Sequence, residues 1–82
     1  MKNEDKEFVT RDFYIAAYLL ALRHKISYVN RSDPKRMFFA FDDFEGREDL
    51  VRVFLYGEAV VEPQAFIAAI KSLKGLVHSN DQ

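Results

Sequence analysis

The chain has 82 residues, of which 49% are hydrophobic and 15% aromatic, and its formal net charge at pH 7 is −1. This length has room for one domain with one core, because domains typically run from about 50 to 200 residues. With no cysteine, the chain can form neither a disulfide framework nor a Cys-ligated zinc site.

The charge is unevenly distributed although its sum is small. Residues 23–36 contain five basic residues and one acid, which gives +4, so the rest of the chain carries −5. A near-neutral chain argues against a protein that coats DNA through charge alone. A local basic patch can still steer a polyanion.

Residues 1–9 are mostly charged and predict a flexible N-terminal arm. Its last two residues, Phe8 and Val9, are apolar and are expected to dock onto the body of the domain. The longest apolar run, residues 13–22, is too short for a membrane span, which needs about 20 residues. We therefore expect a soluble cytoplasmic protein without a membrane partner.

A first helix follows, capped by Thr10 or Asp12 and reaching about His24. Its apolar residues spread over more than the stripe typical of a surface helix, so it is expected to lie centrally in the fold. Ala16 and Ala17 would permit close approach by another element.

The next segments predict an antiparallel β-hairpin. Residues 25–30 alternate, with Ile26 and Tyr28 expected on one face, and a turn over residues 31–35 leads to a second strand over residues 36–42. In that strand residues 37, 39 and 41 share one face and residues 38 and 40 the other. Both faces are therefore apolar. One is expected to pack on the first helix, and the other must be covered by another helix or by a partner.

Two more helices complete the predicted fold. The second is capped by Asp42 or Asp43 and runs to about Tyr56, where Gly57 is a left-handed stop. The third begins at Pro63 and ends near residue 75. The predicted class is α+β, a single small domain over residues 10–78 in the order αββαα, with a two-stranded antiparallel hairpin packed on three helices and a frayed tail at 79–82.

No pattern in the sequence indicates catalysis, a metal or a cofactor. The two histidines, His24 and His78, have no acid at a catalytic spacing, and the three glycines are isolated. The acidic residues between 42 and 49 do not fit an EF-hand and coincide with a helix start, where negative charge is favourable. We predict that the chain is not an enzyme and has no small-molecule substrate.

The hairpin is the predicted binding surface, because cations and aromatic side chains are interleaved there. Its candidate residues are Arg23, Lys25, Tyr28, Arg31, Lys35, Arg36 and Phe38. Uncovered apolar strands would suit a protein partner or a second copy of the chain, so that the molecule is a monomer or a homodimer. Alternatively, the aromatics stack nucleic-acid bases and the cations follow the phosphates. The plain structural interpretation is that the cations protect a sheet edge and the aromatics belong to the core.

The pattern over residues 10–77 resembles a family of short uncharacterised bacterial and phage-associated proteins. The matching positions are Asp12, Ala16, Ala17, Leu19, Leu20, Phe39, Phe41, Asp42, Val61, Pro63, Phe66, Leu73 and Lys74. Members often have glycine where this chain has Arg23 or His24, so the exit from the first helix is expected to differ. The resemblance implies a prokaryotic or mobile-element context and carries over no activity.

Overall fold

The computed structural model describes residues 6–33 and 35–78. The frayed tail predicted for 79–82 and the first five residues of the predicted arm lie outside this part. The elements are β1 (Glu7–Thr10), α1 (Phe13–Ala21), β2 (Ile26–Asn30), β3 (Phe38–Asp42), α2 (Arg47–Leu55) and α3 (Pro63–His78). The α+β class is confirmed.

The sheet has three strands rather than the predicted two. It is antiparallel in the order β1-β3-β2, so the chain order is βαββαα and not αββαα. Residues 7–9, predicted to belong to a flexible arm, are part of β1, with Phe8 opposite Phe41 and Thr10 opposite Phe39. The charged neighbours of Phe8 hid this strand, because on an edge strand charges can remain in water while one apolar residue reaches the core.

The core lies between one face of the sheet and the helices α1 and α3. Its buried residues are Ile15, Ala16, Ala17, Tyr18, Leu19, Phe39, Phe41, Ala69 and Leu73. Helix α1 lies against α3, and its buried stretch from Ile15 to Leu19 is continuous. The prediction of a central first helix is confirmed, and the two fully buried alanines occur where close approach was expected.

Helix α1 is capped at both ends. The Asp12 carboxylate accepts hydrogen bonds from the backbone N–H groups of Tyr14 and Ile15, at 2.9 and 3.1 Å. The helix ends at Ala21, before the predicted His24, because the chain turns through Arg23 at φ +78°. The His24 N–H then bonds to the carbonyl oxygen of residue 19 and the Arg23 N–H to that of residue 20, which is a Schellman motif.

Helix α2 ends in the same way, with Gly57 at φ +75° as predicted. Its start differs from the prediction. Asp42 still belongs to β3, and Gly46, at φ +92°, occupies the N-cap position of a helix that begins at Arg47. Helix α3 begins at Pro63 as predicted and continues through Gly75 to His78.

Candidate functional site: the open face of the sheet

The two faces of the sheet have different surroundings. Residues directly opposite each other in an antiparallel pair project to the same face. Phe39 and Phe41 face the helices and belong to the core. The other side, which we call the open face, carries Glu7, Val9, Tyr28, Asn30, Phe38, Ala40 and Asp42.

A β-bulge in β2 places Tyr28 on the open face. Ile26 lies opposite Phe41, but Tyr28 lies opposite Ala40, so the strand contains one extra residue at Ser27. The bulge reverses the alternation, and the prediction that Ile26 and Tyr28 share a face is therefore wrong. The Ser27 hydroxyl donates a hydrogen bond to Asp42 Oδ1 at 2.9 Å.

The middle of the open face is an apolar row across the three strands. Val9 and Tyr28 flank Ala40 in the register, and their side chains are 45% and 46% exposed. Ala40 itself is fully buried but is not part of the helix-side core, because its methyl group lies between two larger neighbours. Phe38 is half-buried and lies diagonally from Tyr28. The helices therefore leave this side of the sheet open to a partner.

The two ends of the open face carry charges of opposite sign. At one end Glu7 and Asp42 are directly opposite each other and both exposed. Like charges in that position, with their Cβ atoms about 5 Å apart, destabilise a sheet unless a cation lies near. At the other end, the exposed residues Lys35 and Arg36 are in the turn before β3, and the turn also contains one acid, Asp33. Arg11, which follows β1, lines a groove on the helix side. Two exposed cations also lie at the acidic end: Lys25 precedes β2, and Lys6 precedes Glu7 beside Asp43 and Glu45.

The predicted binding residues are only partly brought together. Tyr28 and Phe38 share the open face, and Lys35 and Arg36 are in the turn at its basic end. Arg31 is directed elsewhere, because its guanidinium Nη1 donates to the carbonyl oxygen of Leu76 in α3.

Two further predicted residues lie away from the row at the centre of the open face. Arg23 is in the left-handed turn that ends α1, and Lys25 is at the acidic end of the sheet. Val9, which flanks the same row as Tyr28, was absent from the prediction. The only signal for this position was the apolar pair Phe8 and Val9 at the end of a charged segment, which is too short to predict a strand.

A polar cluster fixes the entry to α2 beside the acidic end. The Arg47 guanidinium contacts Asp43 Oδ1 at 2.9 Å and Oδ2 at 3.3 Å, and it lies 4.2 Å from the centre of the Phe8 ring. This hydrogen bond from Arg47 lowers the pKa of Asp43 and raises that of Arg47. His24 stacks on Phe44 with ring centres 3.7 Å apart. These contacts hold the ends of β1, β3 and α1 against the loop before α2.

A shallow groove of about 400 Å³ lies on the helix side, where α1, α3 and the start of β3 meet. Its apolar wall includes Phe13, Met37 and Val77, and Arg11 and Lys74 line its rim. Sequence reasoning missed this groove because its residues come from three separate segments of the chain. Nothing in their local patterns indicates that they meet.

Within residues 6–33 and 35–78, no three or more His, Cys, Asp or Glu side chains are grouped so that they could hold a metal ion. No helix of this part of the chain has the length and apolar character needed to cross a membrane.

The fold and its open face define a small α+β domain built on a three-stranded antiparallel sheet with helices on one side. Residues 5–79 match the family model described as "Domain of unknown function (DUF5659)", so the chain belongs to that family. The predicted membership of an uncharacterised family is confirmed at that level. Comparisons with curated proteins and with solved structures gave no match.

Proposed function

We propose that the chain is a non-catalytic binding module whose binding surface is the open face of the sheet and whose partner is a protein. The observation that carries the proposal is the row formed by Val9, Ala40 and Tyr28. Two large apolar side chains, each nearly half exposed, flank a buried methyl group there. Such a row offers a partner apolar area at the centre and charged groups at both ends.

The physical basis is burial of apolar surface together with orientation by charge. Removing apolar surface from water contributes about 25 cal/mol per Å², and tyrosine is enriched among the residues that dominate binding energies. Charged rims contribute mainly to orientation and to the rate of association. Glu7 and Asp42 lie opposite each other and repel. A partner that covers Val9 and Tyr28 and places basic side chains beside these two carboxylates would reduce that repulsion.

The absence of catalysis is part of the proposal. Glu7 and Asp42 are the two carboxylates that share the open face, and both are exposed to solvent. Catalytic carboxylates are typically held in a cleft whose environment shifts their pKa. The strongly bonded carboxylate, Asp43, is instead engaged by Arg47 in a structural contact.

Nucleic-acid binding is the second candidate, and one observation favours it. Tyr28 and Phe38 are diagonal neighbours on the open face, beside the basic turn that contains Lys35 and Arg36. Bases could stack on these rings while the turn contacts phosphates. The two exposed carboxylates on the same face would repel a polyanion, and Arg31 already bonds to the Leu76 carbonyl. A protein partner is therefore the better-supported proposal.

The experiment compares proteins retained by the immobilised full chain and by two variants. In the test variant Val9 and Tyr28 are both replaced by serine. The control is Val60→Ser, because Val60 is 86% exposed and lies outside the sheet. A partner is expected to bind the wild type and the control and to be lost from the test variant. Contact with the open face is then checked by NMR chemical shifts after the captured protein has been purified.

Equal retention by the test variant, with its fold confirmed by circular dichroism, would refute the open face as the binding surface. Nucleic acid is tested separately by adding single-stranded DNA and RNA oligonucleotides at low salt. Shifts at Tyr28, Lys35 and Arg36 that disappear as salt is raised would favour the second candidate instead. A bacterial or phage-associated setting is also a proposal, and it rests on the sequence resemblance. A cytoplasmic location is a separate proposal, and it rests on the short apolar runs of the sequence.

A further inference from the structure

We propose that the partner on the open face is a second copy of this chain, related to the first by a two-fold axis that runs across the strands. The axis passes over the row formed by Val9, Ala40 and Tyr28. This inference rests on the proposed use of the open face as a binding surface, and it specifies which protein occupies that face and in which orientation.

The open face has the layout that a two-fold contact needs. In such a contact the same patch from each copy meets itself, so the patch must be complementary to itself. Along β3, Ala40 is the midpoint, with Asp42 two residues to one side and Phe38 two residues to the other. Beyond Phe38 the chain leads to the turn that contains Lys35 and Arg36, so the apolar centre lies between an acidic end and a basic turn.

The charges select the direction of the axis. An axis parallel to the strands would place the acidic end of each copy, with Glu7 and Asp42, on the acidic end of the other. An axis across the strands instead places that end opposite the turn containing Lys35 and Arg36 of the second copy. The second arrangement gives each repelling carboxylate pair a nearby cation in both copies, whereas the first adds to the repulsion.

The side chains of the central row are compatible with this contact. With the axis over the row, Val9 faces its own counterpart and Tyr28 faces its own counterpart, while the small Ala40 lies at the centre. Sheets that pack face to face lie about 10 Å apart, a spacing that half-exposed valine and tyrosine side chains can fill. The extra residue at Ser27 reverses the alternation of β2 and so places Tyr28 in the row. The bulge therefore positions Tyr28 for the contact.

The size of the face predicts weak association. The central part of the open face is three strands wide, with strands about 4.8 Å apart, and four residues long, with a rise of about 3.3 Å per residue. Its area is therefore roughly 200 Å². A standard stable interface buries about 800 Å² on each partner, so the central face supplies only part of that area. We therefore expect a reversible dimer whose population rises over the range from about 10 µM to 1 mM.

The test exchanges the charges at the two ends of the face in two variants of the full chain. The acidic-end variant is Glu7→Lys with Asp42→Asn, where asparagine retains the oxygen that accepts from Ser27. The basic-end variant is Lys35→Glu with Arg36→Glu. A control variant, Lys71→Glu with Lys74→Glu, changes charges on α3 and leaves the open face unaltered.

Dissociation constants are measured by sedimentation at low salt, with the fold of each variant checked by circular dichroism. Each end variant alone is expected to self-associate about tenfold more weakly than the wild type, since its two ends now repel. An equimolar mixture of the two end variants is expected to recover association, because each supplies the charge that the other has lost. The control variant is expected to behave as the wild type.

A second measurement does not depend on charge. The chain has no cysteine, so Val9→Cys introduces a single thiol in the row while Tyr28 is kept, and Val60→Cys provides the matched control. A bis-maleimide reagent with a reach of about 10 Å is expected to link two Val9→Cys copies and to leave Val60→Cys copies unlinked.

Two outcomes would overturn the proposed dimer. One is that the wild type stays monomeric up to about 1 mM. The other is that the mixture of the two end variants associates no more tightly than each variant alone. Equal cross-linking at both cysteine positions would also contradict it. None of these results affects the capture experiment, which tests the open face with any protein partner.

Discussion

Arg23 occupies a backbone conformation that suits glycine better, so we expect Arg23→Gly to stabilise the protein. Its φ is +78°, in the left-handed region, and its own N–H completes the Schellman motif that ends α1. A side chain in this conformation costs about 1–2 kcal/mol relative to glycine. Glycine in turn loses about 0.4–1 kcal/mol through the greater freedom of the unfolded chain. The net gain is about 0.5–1 kcal/mol.

For a domain of this size, each kcal/mol moves the Tm by about 4–8 °C, so we expect a rise of about 2–8 °C. Thermal unfolding followed by circular dichroism measures it, and urea denaturation gives the free energy. Arg23→Ala is the control for loss of the side chain, because alanine keeps the strain and should give little or no gain.

Gly57→Ala is the reverse experiment. Gly57 has φ +75° at the equivalent position of α2, and an added Cβ would meet no atom within 4 Å, so only the backbone strain changes. It should destabilise the fold by about 1 kcal/mol. If Arg23→Gly were neutral or destabilising while Gly57→Ala had its expected effect, the strain assigned to Arg23 would be wrong.

Three further substitutions test the cap, the core and the polar cluster. Asp12→Ala removes the N-cap of α1 and should lower the free energy of unfolding in urea by about 1 kcal/mol; an unchanged value would contradict the capping role. Leu73→Ala should cost about 2–5 kcal/mol because Leu73 is fully buried, whereas Leu55→Ala, at a position 63% exposed, should cost far less; equal losses would contradict the assignment of the core. Because Arg47 lowers the pKa of Asp43 from 3.8, their bond contributes stability above that pH and loses it as the pH falls through the lowered value. In Asp43→Asn, the free energy of unfolding should therefore decrease less steeply than in the wild type as the pH is lowered. An equally steep decrease in the variant would refute this role of the pair.

The local signals in the sequence predicted much of the fold. The capping aspartate, the proline at the start of α3 and the glycine after α2 act within one or two turns of the chain, so their effects follow from nearby residues. The left-handed φ of Arg23 was not predicted, because arginine, unlike glycine, gives no local signal for that conformation.

The candidate site was predicted less completely. Tyr28 and Phe38 were predicted to belong to one surface. Val9 was assigned to the N-terminal arm, as a residue that docks onto the body but not as part of a strand, and Arg31 was expected among the binding cations of the hairpin. Only the pairing of β1 with β3, between segments about thirty residues apart in the chain, places Val9 in the same row as Tyr28. Local alternation in β1 is too short and too charged to reveal that partner.

By itself, the sequence determined that the chain is one small α+β domain with a central apolar helix, because composition and local periodicity are properties of neighbouring residues. The tertiary structure decided which apolar side chains remain outside the core. The third strand and the bulge at Ser27 set the register, and in a sheet a shift of one residue moves a side chain to the opposite face. That register, and no local pattern, brings the exposed row and the two oppositely charged ends onto one surface.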